Sequence, residues 1–172
     1  MPYPKSLNVV SMALGVDPWL LDSVIRFESG GNPRAVSPDG QAFGLIQFRG
    51  QSIHDLGYQS GHQLIDTLHT YDDQMYKAVF PYLKKYYPFS TVQSFLMSIF
   101  YPKYRNLPEF WPFPSIVRHK NIDISIPLDY INRVYRIGKR FYLPRFLIYG
   151  VGGLWILSTI LQEKRAESPK RA

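Results

Sequence analysis

Apolar positions recur at helical spacing along most of the chain. Leu20, Leu21, Val24 and Ile25 form the first clear stripe. Asp17 ahead of them can accept from the free N–H groups of a first turn, and Pro18 is tolerated at the first helical position. The pair Gly30-Gly31 stops the pattern just after Glu28. The spacing therefore predicts a helix that carries Glu28 on its last turn, on the stripe of Leu21, Val24 and Ile25.

Residues 32–61 are rich in Gly, Pro, Ser and Asn around a short apolar patch, 43–48, and predict an ordered loop with short helical pieces. Over residues 62–87, Leu64, Ile65, Leu68, Met75, Val79 and Leu83 mark one long helix or two, with Pro81 as kink or boundary. Ser90 is placed to cap a further helix bearing Val92, Phe95, Leu96, Ile99 and Phe100, which Pro102 ends. Residues 106–127, with Pro108, Pro112, Pro114 and Pro127, predict irregular chain, and Ile131 and Val134 restore a helix over 128–137. Alternation of period two is scarce outside 122–126, so the expected fold class is mainly α.

Residues 146–161 form an uncharged apolar run with Lys139, Arg140 and Arg145 before it and Lys164 and Arg165 after it. As a helix it would cover roughly 24 Å, a little short of the hydrocarbon core of about 30 Å, and snorkelling of Arg145 narrows the gap. Gly150, Gly152 and Gly153 would let neighbouring helices approach closely. The expectation is a C-terminal apolar helix that enters a membrane or makes an assembly contact; a buried helix of the globular domain is the alternative.

A chain of 172 residues supports one ordinary domain with an appendage, here 1–136 and 137–172. The split of 45% hydrophobic and 19% charged residues is that of a globular protein, and the 16% aromatic share suits either a sugar-gripping groove or a core. A net charge of +7 draws the chain to polyanions, among them nucleic acid, anionic lipid and the carboxylate-bearing bacterial cell wall. The basic residues are dispersed and form no nucleic-acid-binding module, so no nucleic-acid partner is expected. With no cysteine, disulfides, zinc–thiolate sites and thiol nucleophiles are excluded. His54, His62, His69 and His119 form no tight ligand pair, so neither a metal nor a cofactor is expected. The first residues hold no sustained apolar run after Lys5 and do not read as a secretory signal peptide.

Glu28 carries the candidate chemistry. A carboxylic acid on an apolar stripe, at the negative end of a helix dipole, has two reasons to keep its proton near neutral pH. Such a group can protonate the oxygen of a departing sugar, a poor leaving group until it is protonated. The plain alternative is a solvated glutamate or one paired with Arg26 or Arg34.

The surrounding string narrows the choice. Glu28-Ser29, Asn32-Pro33, Ser37-Pro38-Asp39-Gly40 and Gly44-Leu45-Ile46-Gln47 follow in order within a short stretch. This resembles the soluble lytic transglycosylase family, whose hallmark is Glu-Ser, Asn-Pro, Ser-Pro-x-Gly and Gly-Leu-Met-Gln; Ile46 replaces the Met. Ser98-Ile99-Phe100-Tyr101-Pro102 is similar to the third motif of phage-type members, and residues 119–134 resemble their closing Asn-x-x-Ile and Tyr-Ile-x-x-Val segment. The resemblance spans roughly residues 8–136.

It implies a goose-type lysozyme-like α domain that cleaves the peptidoglycan bond between N-acetylmuramic acid and N-acetylglucosamine. Glu28 would protonate the bridging oxygen and then take the proton of the muramic acid C6 hydroxyl, which closes on C1 as a 1,6-anhydro end. By the same resemblance Ser37 would bond near the Glu28 carboxylate, Ile46 and Gln47 would line the sugar subsites, and Tyr101 would project over the cleft. Each also has a plain role: turn, core, solvated polar group and helix-end packing. Gly44 is expected to serve close backbone approach.

An inverting muramidase would need a second carboxylate to activate water, roughly 6.5–9.5 Å from the acid, and Asp39 is the candidate. Goose-type lysozymes tend to carry an acidic residue soon after the Leu-Met-Gln segment; Phe48-Arg49 stands there in this chain, which favours the anhydro-forming route. The phage-type third motif implies a virion-associated enzyme aiding genome entry, anchored by residues 146–161 and acting in the host periplasm or cell wall. A bacterial envelope transglycosylase and a non-catalytic virion protein that keeps the lysozyme fold are the alternatives.

Overall fold

The computed structural model of the chain describes residues 3–115, 117 and 123–142. The chain divides into two units, Met1–Lys139 and Arg140–Ala172, and the buried residues among those described lie in the first. The described part is mainly helical, as the periodicity predicts.

Helix α1 (Lys5–Ala13) precedes the first predicted helix and buries Leu7 and Val10. Helix α2 (Pro18–Ser29) follows the predicted bounds. The Asp17 carboxylate accepts from the Trp19 N–H at 2.7 Å, Pro18 opens the first turn, and Gly30 ends the helix in the left-handed conformation. Leu21, Val24 and Ile25 lie wholly inside the protein. Each stabilises the packed state by roughly 1.5–3 kcal/mol.

The predicted loop 32–61 contains a feature the periodicity does not signal. Strands β1 (Ala42–Phe43) and β2 (Phe48–Arg49) pair antiparallel, with Ala42 opposite Arg49 and Phe43 opposite Phe48, and Val36 bridges to Phe43. Two-residue strands are too short to show alternation. The short helix α3 (Gln51–Asp55) follows.

The 62–87 stretch breaks into two at residues 68–70 rather than at Pro81. Helix α4 (Gly61–Thr67) ends there, and Thr70 caps α5 (Tyr71–Gln74) by accepting from the Asp73 N–H at 3.1 Å. Helix α5 continues through a wide π turn, Met75–Val79, into α6 (Phe80–Lys84). The π turn stands just ahead of Pro81, whose missing N–H breaks the ordinary ladder at that point. Helix α7 (Val92–Phe100) is capped by Thr91, not by Ser90 as predicted, because Ser94 three residues on completes a reciprocal capping box. Its C-terminal end leads through Tyr101 into a single 3-10 turn, Pro102–Tyr104.

Helix α8 (Pro127–Tyr142) restores the helical pattern expected over 128–137. It lies hard against α2: a Cβ on Gly138 would stand 2.2 Å from the Trp19 ring and 2.4 Å from the Ser23 hydroxyl. Trp19 also meets Tyr135, ring centres 5.2 Å apart. Among the described residues no helix is long and apolar enough to cross a membrane, and the apolar run 146–161 lies outside them.

Candidate active site

Glu28 stands on the last turn of α2, where the chain meets a cleft. Arg26 and Arg34 are engaged elsewhere, with Asp22 at 2.6 Å and Asp66 at 2.7 Å. The partner of Glu28 comes from α8: the Tyr130 hydroxyl donates to its Oε1 at 2.6 Å. Tyr130 is fully buried, with its ring stacked on Phe100 at 4.4 Å and edge-on to Phe27 at 5.4 Å. These rings fix the direction of the hydroxyl.

Although part of the Glu28 side chain reaches the cleft, burial of its carboxyl dominates and lifts the pKa from the ordinary 4.5 to about 7. The Tyr130 hydrogen bond and the positive charge of Arg49 pull the other way and only partly offset it. Burial first, and then the Glu28 charge, raise the pKa of the Tyr130 hydroxyl, so Tyr130 stays a donor.

Ser29, next in sequence, joins the helix end to the Gly44–Gln47 turn. Its hydroxyl lies 3.0 Å from the Ile25 carbonyl and 2.9 Å from the Leu45 carbonyl. The turn links β1 to β2 and is pinned from below by Gln74, which is wholly buried. Gln74 Oε1 accepts from the Leu45 N–H at 2.9 Å, while its amide nitrogen donates to the Leu68 carbonyl at 2.9 Å and to the Pro33 carbonyl. Gly44 has φ +74°, and a Cβ there would fall 2.5 Å from Gln74 Oε1, so close backbone approach is its role. Gln47 also takes a positive φ, 55°, and its side-chain amide donates to the Gly44 carbonyl at 3.1 Å.

The cleft has a volume of about 850 Å³. Glu28, Ile46, Gln47 and Tyr101 all line it, so four of the five predicted site residues share one surface. Ser37 is not among the lining residues. Its hydroxyl donates to Asp39 and accepts from the Ala42 N–H at 2.9 Å, the turn-making role. Asp39 does line the cleft, and it is ion-paired: Arg49 Nη1 lies 3.0 Å from Oδ2. The Ser37 hydrogen bond, then that of Arg49, hold the Asp39 carboxyl down to about 2. Tyr82 from α6, Tyr86 from the turn after it and Phe100 from α7 complete an aromatic lining.

Tyr130, Ser29, Gln74 and Arg49 thus shape the site although sequence reasoning assigned none of them a site role. Tyr130 stands in the closing Tyr-Ile-x-x-Val segment and Ser29 in the Glu-Ser pair, so a motif signal existed for both. Gln74 carries none. Chemically, the cleft offers one carboxyl able to hold a proton at neutral pH and two carboxylates, Asp39 and Asp55, that stay ionised. Among the described residues no three potential ligands gather to hold a metal ion.

Residues 7–82 match the family model of the transglycosylase SLT domain. The matched span is a little under half of the chain; it contains Glu28, Ser37, Ile46 and Gln47 and stops short of Tyr101 and Tyr130. No curated protein and no solved structure matches the chain. The match supports the SLT family, the transglycosylase class of enzyme and peptidoglycan as the substrate.

Proposed function

We propose, taking the SLT-domain match as premise, that the chain is a peptidoglycan lytic transglycosylase of goose-type lysozyme-like fold in which Glu28 is the general acid and then the base. The observation that carries this reading is the place of the Glu28 carboxyl, held by the Tyr130 hydroxyl and opening on the cleft lined by Ile46, Gln47 and Tyr101, where burial pushes its pKa up to about 7. With the carboxyl oriented by the Tyr130 hydroxyl, its proton goes to the glycosidic oxygen as the C1–O bond breaks. The carboxylate left behind takes the proton of the muramic acid C6 hydroxyl as that oxygen bonds to C1. Glu28 ends protonated again, and no water is consumed.

The test is release of soluble fragments from purified peptidoglycan. Wild-type protein should solubilise it, while Glu28→Gln, nearly the same size and unable to ionise, should not. Equal activity in the two would sink the assignment of Glu28.

The resemblance of residues 98–102 to the phage-type third motif supports a virion protein that opens the wall during genome entry. Its presence in purified virions, and retention of the 1–172 chain but not of a 1–142 chain in the membrane fraction, test the virion and anchor readings. Absence from virions would instead favour a bacterial envelope enzyme.

A further inference from the structure

Three carboxyl side chains line the cleft, and two of them are already taken. Asp55 meets Lys85 at 3.0 Å and Gln51 at 2.9 Å. Asp39 is held more completely. Its Oδ2 accepts from Arg49 Nη1 at 3.0 Å, and its Oδ1 accepts from Arg49 Nη2 at 3.4 Å, from the Gln41 N–H at 3.2 Å and from the Ser37 hydroxyl. Arg49 is itself anchored, opposite Ala42 in the two-stranded ladder, with its N–H and carbonyl bonded to the Ser52 hydroxyl at 3.0 and 2.7 Å.

A carboxylate that activates water needs a lone pair free and aimed at that water. Four donors on two oxygens leave Asp39 poorly placed for this. We propose that Arg49 decides the outcome of the reaction: by clamping Asp39 in the cleft wall it denies water a base, so the sugar's own C6 hydroxyl closes on C1. Arg49 is in this sense a positioning residue. An ion pair half open to water is weak in the free protein. A glycan strand lying in the cleft expels that water and strengthens it.

The inference rests on the reading of Glu28 as acid. With the clamp removed, water oxygen bonds to C1 while the C1–O bond to the next sugar breaks. Glu28 gives its proton to the departing oxygen, Asp39 takes one from the water, and the product is a reducing end in place of an anhydro end. Both carboxyl groups then return to their starting states by exchange with solvent.

The experiment digests borohydride-reduced peptidoglycan, so that only new ends count, and weighs the products by mass spectrometry. Wild type, Arg49→Ala, Arg49→Gln, Arg49→Lys and the double variant Arg49→Ala/Asp39→Asn are compared. Wild type and Arg49→Lys should give anhydro ends. The Ala and Gln variants should give reducing ends as roughly a tenth or more of the total, since a freed general base speeds the water route by about 100-fold or more. The double variant should lose them again.

Anhydro ends alone from both Arg49→Ala and Arg49→Gln would overturn the inference. So would reducing ends that persist in the double variant, or a well-folded Arg49 variant with no activity, because Arg49 reaches Glu28 only through its charge, and losing that charge favours the protonated carboxyl that the reaction needs. Failure of the underlying reading looks different: it would show in wild type, as no cleavage or as reducing ends.

Discussion

The Tyr130 hydroxyl meets the Glu28 carboxylate at 2.6 Å across 102 positions of sequence. That contact joins the first strongly patterned helix to the last described one; it sets where the carboxyl points and partly offsets the effect of burial on its proton. Removing the hydroxyl while keeping the ring, Tyr130→Phe, should reduce kcat roughly 10- to 100-fold through loss of orientation. It should also move the alkaline limb of the pH–rate profile upward, because the hydrogen bond favours the ionised form. A drop in kcat with an unmoved limb would mean that Tyr130 serves packing alone.

Acidity at Glu28 also links activity and stability to pH. As the proton donor it must be protonated, so the rate should fall as pH rises past about 7. Its folded pKa lies above the unfolded value of 4.5, so between 4.5 and about 7 the folded protein keeps a proton that the unfolded chain has released. Stability should therefore fall as pH rises through that window, by up to about 3 kcal/mol. Urea midpoints measured at both ends of the window should differ less for Glu28→Gln than for wild type.

Much of this arrangement is legible in the sequence wherever the signal is local. Asp17, Pro18 and Gly30 bound α2 because cap and stop chemistry act within a turn, and they put Glu28 at its end without reference to the rest of the chain. Helix α1 shows how a short stripe fades: Leu7, Val10 and Leu14 are spaced correctly, but Pro4 offers no side-chain cap to mark the start. The cap of α7 falls one residue from Ser90 because Thr91 and Ser94 satisfy each other's backbone.

Distance in sequence explains the rest. The motif places Ser37 near Glu28, but Asp39 and the Ala42 N–H engage its hydroxyl, and nothing in a linear motif reveals that competition. The Tyr130 contact needs the packing of α8 on α2, which only the fold supplies.

That packing depends on Gly138. The Cβ of Gly138→Ala would fall 2.2 Å from the Trp19 ring, so α8 must shift from α2. The cost should be about 1–3 kcal/mol of overpacking. Activity should fall at temperatures where the variant is still folded, since Tyr130 rides on the same helix. Thermal unfolding and kcat measured on one preparation check both, and a variant that loses neither would show that the two helices part freely.

Gln74 is the corresponding test for the turn. Gln74→Leu leaves the Leu45 N–H and the Leu68 and Pro33 carbonyls without their side-chain partner in a buried place. A loss of about 3 kcal/mol or more is expected. It should appear as a lower urea midpoint with an unchanged slope. A midpoint within error of wild type would mean that the turn is held by its own backbone.

The central claim, that one carboxyl performs both proton transfers, is tested most directly by the mass of the ends made from purified peptidoglycan. Wild type should yield muramic acid ends lighter by one water, the 1,6-anhydro form, and Glu28→Gln should form them roughly 1,000-fold more slowly or not at all. Reducing ends from the wild-type protein, or anhydro ends at an undiminished rate from Glu28→Gln, would contradict it.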